Sequence, residues 1–195
     1  MSIKSILLER VKKELSLSPK GAHTLDHTIR VNSLSLTLSE GLNVNTRVLE
    51  AATLLHDIGR PKEDETGISH SILSGRIGEV ILKELGYAPN EINQVVEAIR
   101  THRFSEGIEP TSIEGQILSD ADKLDAIGAI GIYRAIAQAV ASGRGITGFL
   151  KHADEKLLKL HSLMYTAKAK HLAEERHMFL ESFVNQLREE IRSAD

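Results

Sequence analysis

Apolar residues recur at helical spacing along most of the chain. Leu7, Val11 and Leu15 are four residues apart, and so are Phe179 and Phe183 near the C-terminus. Side chains four positions apart lie on one face of a helix, and an apolar face of this kind is buried in a folded protein. The pattern therefore predicts an all-α protein, built as a helical bundle. The predicted helices cover about residues 2–17, 23–41, 45–58, 69–85, 89–101, 111–142 and 149–193.

Three of these helices carry a local ambiguity. Residues 33–39 alternate polar and apolar side chains, which is also typical of a strand, but the helical period continues on both sides and favours a helix that ends at Gly41. In the sixth helix, Gly128 and Gly131 interrupt good helix formers, and we interpret them as close packing or a kink rather than a stop. The last segment, 149–193, is compatible with one helix or two.

Length favours a single domain. The chain has 195 residues, a size that one hydrophobic core can serve, and no internal repeat or linker-like stretch divides it. We therefore expect one domain over residues 1–195. Its core is predicted at about 21–130, with a C-terminal helical extension at about 149–193 packed on it.

Composition excludes several kinds of function. Lys and Arg number 24 against 27 Asp and Glu, so no overall positive field exists to hold a nucleic acid or an anionic membrane. The absence of cysteine removes disulfides, thiolate metal sites and thiol nucleophiles. No apolar run reaches the roughly 20 residues that span a bilayer, and charges interrupt the N-terminal stretch. We expect a cytoplasmic protein that binds neither membranes nor, stably, nucleic acid.

Histidine and aspartate stand together at several apolar positions. His27 continues an apolar helix face, the doublet His56-Asp57 follows an Ala- and Leu-rich stretch, and Asp122 comes one turn after Leu118. A buried unpaired carboxylate costs on the order of several kcal/mol, and a cation would offset this cost. Two imidazoles and two carboxylates suit Mn²⁺, Fe²⁺, Co²⁺, Zn²⁺ or Mg²⁺. An octahedral ion would keep two open positions for water and a substrate oxygen, which permits hydrolysis.

The order of these residues resembles the HD superfamily of metal-dependent phosphohydrolases, in which one His, a His-Asp doublet and a late Asp follow one another. The surroundings are similar too: residues 26–31 read DHTIRV, 54–59 read LLHDIG and 120–129 read DADKLDAIGA. The chain also resembles small stand-alone microbial members over about 21–190, because its C-terminal part has a similar pattern: Glu155-Lys156-Leu157-Leu158, Met164, Thr166, Leu172-Ala173, Arg176 and Phe179. The resemblance implies an all-α HD domain, a divalent metal with Mn²⁺ or Mg²⁺ favoured, and hydrolysis of a phosphoester or phosphoanhydride, with a nucleotide as the favoured substrate. The implied metal ligands are His27, His56, Asp57 and Asp122.

Neighbouring residues compete for two of these roles. His23 stands four residues before His27 on the same helix face, although the family spacing favours His27. Asp120 and Asp125 flank Asp122, and Asp125 shares its face. We place Asp122 on the metal and Asp125 beside it or on the attacking water, where Asp125 or a nearby His takes the proton. The predicted catalytic residues are Asp57, Asp125, His70 and His102.

His70 and His102 lie between the doublet and the late Asp, where binuclear members of the superfamily place further ligands. They are candidates for a second metal, for contact with a phosphate, or for a polar edge of the pocket. Some phosphatases of the superfamily carry a Glu at the position of Arg60, so the general base stays open. The run of residues 63–65 is interpreted as a solvated loop, although loops after such a doublet often border the site. Candidates for neutralising phosphate charge are Arg30, Arg60, Arg103 and Lys123.

Two other functions stay open at this point. A di-iron oxygenase on the same fold would need both His70 and His102 as ligands. A non-catalytic regulatory module would keep the metal for stability alone. Self-association into a homo-oligomer is also left open by the sequence.

Overall fold

Every regular element in the described part of the chain is helical, which confirms the all-α prediction. The structure is a computed structural model, and it describes residues 3–16 and 24–194. His23, the alternative metal ligand, lies outside the described residues. The α-helices are α1 (Ile3–Leu15), α2 (Leu25–Ser39), α3 (Thr46–Leu55), α4 (Glu63–Thr66), α5 (His70–Glu84), α6 (Pro89–Thr101), α7 (Ile113–Asp125), α8 (Gly128–Ala141), α9 (Gly145–Glu155) and α10 (Ala167–Ala194), with short 3₁₀ helices at Arg60–Lys62, Phe104–Glu106 and Leu157–Leu163.

The prediction of a continuous helix over 111–142 is wrong, because α7 stops at Asp125 and α8 starts at Gly128. Ile127 has an extended backbone and Gly128 has a φ of +71°, a left-handed conformation that glycine adopts without steric cost. The close packing expected at Gly131 is present, because a Cβ there would lie 2.2 Å from the carbonyl oxygen of Ala126. The two glycines therefore separate two helices instead of bending one.

The ambiguity at residues 33–39 is resolved in favour of a helix. They lie inside α2, where Val31 and Leu38 are buried, so the helical prediction is confirmed. The segment 149–193 holds the end of α9, a 3₁₀ helix and most of α10, so it is not one helix. Helix α3 ends at Leu55, three residues before the predicted 58, because the chain turns at the His-Asp doublet.

The described residues fall into two compact units, divided between Asp122 and Lys123. In the first unit, α3 packs against α1, α2 and α6, and α5 packs against α6. Val48, Ala52 and Leu55 of α3 are fully buried, so this helix lies in the core of the unit. The polar doublet at the end of α3 is consequently held in buried surroundings.

The second unit is formed by α8, α9, α10 and the 3₁₀ helix between the last two. Phe149 and Phe183 pack edge to face there, with ring centroids 6.0 Å apart. The expectation of one domain over 1–195, with its core and C-terminal extension, stays a prediction. No single helix in the described ranges is long and apolar enough to cross a membrane.

Candidate metal centre

His27, His56 and Asp57 meet in the first unit and form a group with the spacing of metal ligands. The Nε2 atoms of His27 and His56 are 3.3 Å apart. Asp57 Oδ2 lies 3.6 Å from Nε2 of His27 and 3.7 Å from Nε2 of His56. All three side chains are buried, so their donor atoms face each other in the interior of the unit.

A second ligand group shares the same aspartate. Asp57 Oδ1 lies 3.3 Å from Nε2 of His70 and 4.0 Å from Nε2 of His102, and these three residues also have the spacing of metal ligands. One oxygen of Asp57 is therefore closest to His27 and His56, and the other is closest to His70 and His102. The carboxylate stands between the two groups.

Backbone carbonyls determine which ring nitrogen of two histidines can bind a cation. Nδ1 of His56 lies 2.7 Å from the carbonyl oxygen of Thr53, and Nδ1 of His102 lies 2.6 Å from that of Ile99. A carbonyl oxygen only accepts, so each Nδ1 carries the proton and each Nε2 carries a lone pair. Both histidines directly follow the last residue of a helix, so α3 and α6 present their ligands through the same local arrangement.

In His70 the proton is also held on Nδ1, in this case by a carboxylate. Nδ1 of His70 donates to Glu63 Oε2 over 3.0 Å, while its buried Nε2 has no hydrogen-bond partner. An unsatisfied buried polar atom costs on the order of 1–3 kcal/mol. The lone pairs of His56, His70 and His102 lie near the acceptor oxygens of Asp57, so acceptors face acceptors. A divalent cation among them removes this repulsion, and the residues present therefore fit a divalent metal.

Asp122, the fourth predicted ligand, contacts the first group through His27. Its Oδ1 lies 3.3 Å from His27 Nε2, and its side chain is 29% exposed against 3% for Asp57. Burial raises the pKa of Asp122, but the hydrogen bond and charge of His27 outweigh burial and hold the pKa well below its ordinary value. Asp122 therefore offers an ionised carboxylate on the more open edge of the group.

The surroundings keep two of the imidazoles neutral. Burial lowers the pKa of His56 to about 3 against the attraction of Asp57, and burial lowers the pKa of His70 to about 4. Neutral imidazole is the form that binds metal. Helices α3 and α6 also end at this cluster, and the partial negative charge of a helix C-terminus favours a cation there.

We expect chelator-treated protein to lose stability as the pH falls from 7 to 5. In the unfolded chain His56 and His70 take up protons near pH 6.5, but in the folded protein only near pH 3 and 4. The unfolded chain binds more protons across this window, so the free energy of unfolding falls by about 2 kcal/mol per histidine. Urea titrations at pH 7, 6 and 5 measure the loss. A His171→Asn control, at an exposed histidine, should show the same fall in the free energy of unfolding with pH as wild type. A free energy of unfolding that does not change between pH 7 and 5 would contradict the neutral, buried state of His56 and His70.

Glu63 is a member of this cluster that no motif in the sequence indicated. Its interpretation as part of a solvated loop is wrong, because it starts α4 and its side chain is 23% exposed. Glu63 accepts from Nδ1 of His70 over 3.0 Å and from Arg103 over 2.6 Å. Burial opposes ionisation, but the charge and hydrogen bonds of His70 and Arg103 lower the pKa of Glu63. It precedes His70 by seven residues, a spacing that carries no recognisable signal.

Two predicted phosphate-binding arginines border the cluster. Arg60 Nε lies 3.1 Å from Asp57 Oδ1. Arg103 donates to Ser69 over 3.1 Å and stands 3.5 Å from Glu106 Oε1. Their side chains are about one third exposed, so each guanidinium is tied to the cluster and still reaches solvent.

Three further predicted residues are Asp125, Lys123 and Arg30. In the second unit, Asp125 Oδ2 lies 2.8 Å from Arg134 Nη1, and both side chains are largely buried. Lys123 Nζ lies 4.5 Å from the centroid of the Tyr165 ring. Arg30 stands one turn after His27 on α2 and is half-buried. The roles predicted for Asp125 on the water, and for Lys123 and Arg30 on a phosphate, stay predictions.

Gly59 closes the turn that presents the His-Asp doublet. Its N–H donates to Ser74 Oγ over 2.9 Å. A Cβ at Gly59 would lie 2.6 Å from both Leu73 Cβ and the backbone nitrogen of Ser74. Helix α5, which carries His70, therefore packs directly on the backbone that follows Asp57, and the glycine sets how closely the two ligand groups approach.

Comparison with known proteins places this cluster in context. The HD domain family model matches residues 24–127, a range that contains both ligand groups and Asp122. The uncharacterized protein YpgQ of Bacillus subtilis is 36% identical over 183 residues, which are 89% of this chain and 86% of YpgQ.

Solved structures agree with the sequence relatives. The crystal structure of Bacillus subtilis YpgQ in complex with ADP superposes with a TM-score of 0.80 at 31% identity, over 98% of this chain and 100% of that one. An HD-superfamily hydrolase from Bacillus thuringiensis superposes with a TM-score of 0.75 at 34% identity, over 97% of this chain and 96% of that one. The similarity thus extends over nearly the full length of these proteins.

Proposed function

The chain belongs to the HD domain family, and we propose that it is a metal-dependent phosphohydrolase that cleaves a phosphoester or phosphoanhydride bond of a nucleotide. The family and its all-α fold, both implied by the motifs in the sequence, are confirmed. The observation that carries the proposal is the meeting of four imidazoles around the carboxylate of Asp57, a donor set that fits a divalent cation.

The proposed metal ligands are His27, His56, Asp57 and Asp122, and His70 and His102 offer two more on the other oxygen of Asp57. A divalent ion bound there supplies an acidified water and polarises a phosphoryl oxygen. The protein's part is to keep the ligands in their binding form. Hydrogen bonds to the carbonyls of Thr53 and Ile99 and to the carboxylate of Glu63 hold the proton on each Nδ1, so each Nε2 stays a ligand.

Arg60 and Arg103 are the proposed phosphate-binding residues of this region. Each planar guanidinium can pair with two phosphate oxygens and neutralise the charge that spreads over them in the transition state. Glu63 holds Arg103 at 2.6 Å and Arg60 at 3.6 Å, so both cations are oriented before a substrate arrives. The proton acceptor is proposed to be Asp125, or else Nε2 of His70 or His102 where that nitrogen holds no metal.

A nucleotide is the proposed substrate because YpgQ, which shares this fold over its full length, has been crystallised with ADP. ADP contains both a phosphoester and a phosphoanhydride bond. The ligand therefore supports a nucleotide phosphate as the substrate class without choosing the bond that is cleaved.

The test is a panel of nucleoside mono-, di- and triphosphates, each assayed with Mn²⁺, Mg²⁺, Co²⁺ and Zn²⁺. We expect release of phosphate or pyrophosphate that a chelator abolishes and added metal restores. A His56→Ala variant removes a proposed ligand and should lower the release at least about 100-fold, whereas the exposed His171→Asn change serves as the matched control. Folded protein that binds metal and yet releases nothing from any nucleotide contradicts the proposal.

A di-iron oxygenase is the second candidate, and the approach of His70 and His102 to Asp57 is the observation that favours it. That function needs two irons per chain and consumption of oxygen. Phosphate release under strictly anaerobic conditions, with Mn²⁺ or Mg²⁺ as the added ion, excludes the oxygenase as the source of the activity. Metal-induced thermal stabilisation with neither activity would instead identify a non-catalytic module.

A further inference from the structure

Three nitrogen atoms approach one oxygen of Asp57. Oδ1 lies 3.1 Å from Nε of Arg60, 3.3 Å from Nε2 of His70 and 4.0 Å from Nε2 of His102. The two imidazole nitrogens are suited to bind a metal, whereas the Arg60 N–H is a donor that already carries a positive charge. The cation that faces Oδ1 in this structure is thus a side chain of the protein.

The other oxygen of Asp57 has different neighbours. Oδ2 lies closest to the Nε2 atoms of His27 and His56, at 3.6 and 3.7 Å. The acidic side chain near that group is Asp122, 3.3 Å from His27 Nε2. Asp122 therefore faces an Nε2 atom of the first group, whereas Glu63, the carboxylate beside the second group, faces Nδ1 of His70 and is paired with Arg103. At the metal-facing oxygen of the second group stands the guanidinium of Arg60.

From this asymmetry we propose that Arg60 competes with a divalent ion for Oδ1 of Asp57, so that the His70–His102 group binds its ion after the His27–His56 group and more weakly. A guanidinium and a divalent ion repel each other, and both need the same oxygen. The inference rests on the metal centre of the proposed function, but it holds whatever reaction the centre performs.

Glu63 gives Arg60 a second position. Its Oε2 lies 3.6 Å from Nη1 of Arg60, on a side chain that also pairs with Arg103. When an ion takes Oδ1 of Asp57, Arg60 keeps this carboxylate partner at the partly exposed edge of the cluster. Arg60 thus lowers the affinity for the second ion without being one of its ligands, and it stays available to a phosphate.

The experiment is calorimetric titration of the full-length, chelator-treated protein with Mn²⁺, combined with metal analysis after gel filtration. Wild type is expected to show one tight and one weaker binding step. Arg60→Gln is expected to tighten the weaker step by about tenfold or more, because a like charge is removed beside it, and to change the tight step less than about twofold. His102→Ala should remove the weaker step alone.

Arg103→Gln is the matched control, because it removes a guanidinium that pairs with Glu63 rather than with Asp57 Oδ1. A second ion that binds only to Arg60→Gln, and not to wild type, also supports the proposal. Unchanged Mn²⁺ affinities in Arg60→Gln overturn it, and so does an equal gain in the affinity of the weaker step in Arg103→Gln. Binding of one ion per chain in both wild type and Arg60→Gln also overturns it. The titration requires no turnover, so an inactive protein with two metal steps would reject the phosphohydrolase and leave this inference standing.

Discussion

An Asp57→Asn variant is expected to lose Mn²⁺ binding at both ligand groups and to lose turnover by at least about 10³-fold. Among the described residues, Asp57 is the member that both groups share, and its two oxygens face different pairs of histidines. Loss of its negative charge therefore weakens metal binding at both groups together. Replacement of His27 or His102 directly weakens metal binding at one group.

The stability of the same variant is expected to change in the opposite direction. In wild type the lone pairs of His56 and His70 lie near acceptor oxygens of Asp57. An amide that keeps its oxygen toward the Arg60 N–H places its NH2 group toward His56 and can donate to that nitrogen, so one unfavourable contact becomes a favourable one. Chelator-treated Asp57→Asn should consequently unfold at the wild-type temperature or above, while the rise in Tm that metal induces in wild type disappears.

Calorimetry with and without Mn²⁺ measures both effects in one series. Asp26→Asn is the control, because it removes the same charge from an exposed aspartate next to His27 in the chain. The control is expected to keep metal binding and the metal-induced rise in Tm. Wild-type Mn²⁺ affinity in Asp57→Asn would show that this carboxylate does not hold a metal. A marked loss of its stability in chelator would contradict the proposed repulsion between Asp57 and the histidine lone pairs.

A Gly59→Ala variant is expected to lower the free energy of unfolding by about 2–3 kcal/mol, equivalent to a fall in Tm of about 5–10 °C. The backbone of Gly59 has φ −85° and ψ −6°, which alanine adopts readily, so the cost is steric. The added Cβ would lie 2.6 Å from Leu73 Cβ and from the nitrogen of Ser74. Helix α5 must move away, and the weaker metal step should weaken further because His70 moves with it.

Gly75→Ala makes the same chemical change on the opposing helix and is the control. A Cβ at Gly75 would meet Arg100 and Val96 at 3.4 Å, an ordinary van der Waals contact. Alanine is the better helix former by up to about 1 kcal/mol, so this variant should be unchanged or more stable. Thermal unfolding of both variants provides the comparison. Equal stability of Gly59→Ala and wild type would contradict the direct packing of α5 on the doublet.

Periodicity predicted the all-α fold and several of its helices, and motif order indicated three residues that lie together, whose role as metal ligands stays a prediction. Apolar spacing identified α2 and α3, and the family motifs identified His27, His56 and Asp57, which meet as expected. The break at Gly128 was not predictable in the same way. Glycine permits a left-handed backbone without requiring it, so the surrounding packing decides whether the helix bends or ends.

The chain's local patterns indicated an all-helical protein and candidate histidine and aspartate ligands, because helix periodicity and short motifs such as DHTIRV and LLHDIG involve residues close together in sequence. The packing of α3, α5 and α6 then brought His70 and His102 to the second oxygen of Asp57 and placed Arg60 and Glu63 beside them. A hydrophobic stripe indicates which face of a helix is buried but not which other helix it packs against. The neighbours of the Asp57 carboxylate therefore could be identified only from the tertiary structure.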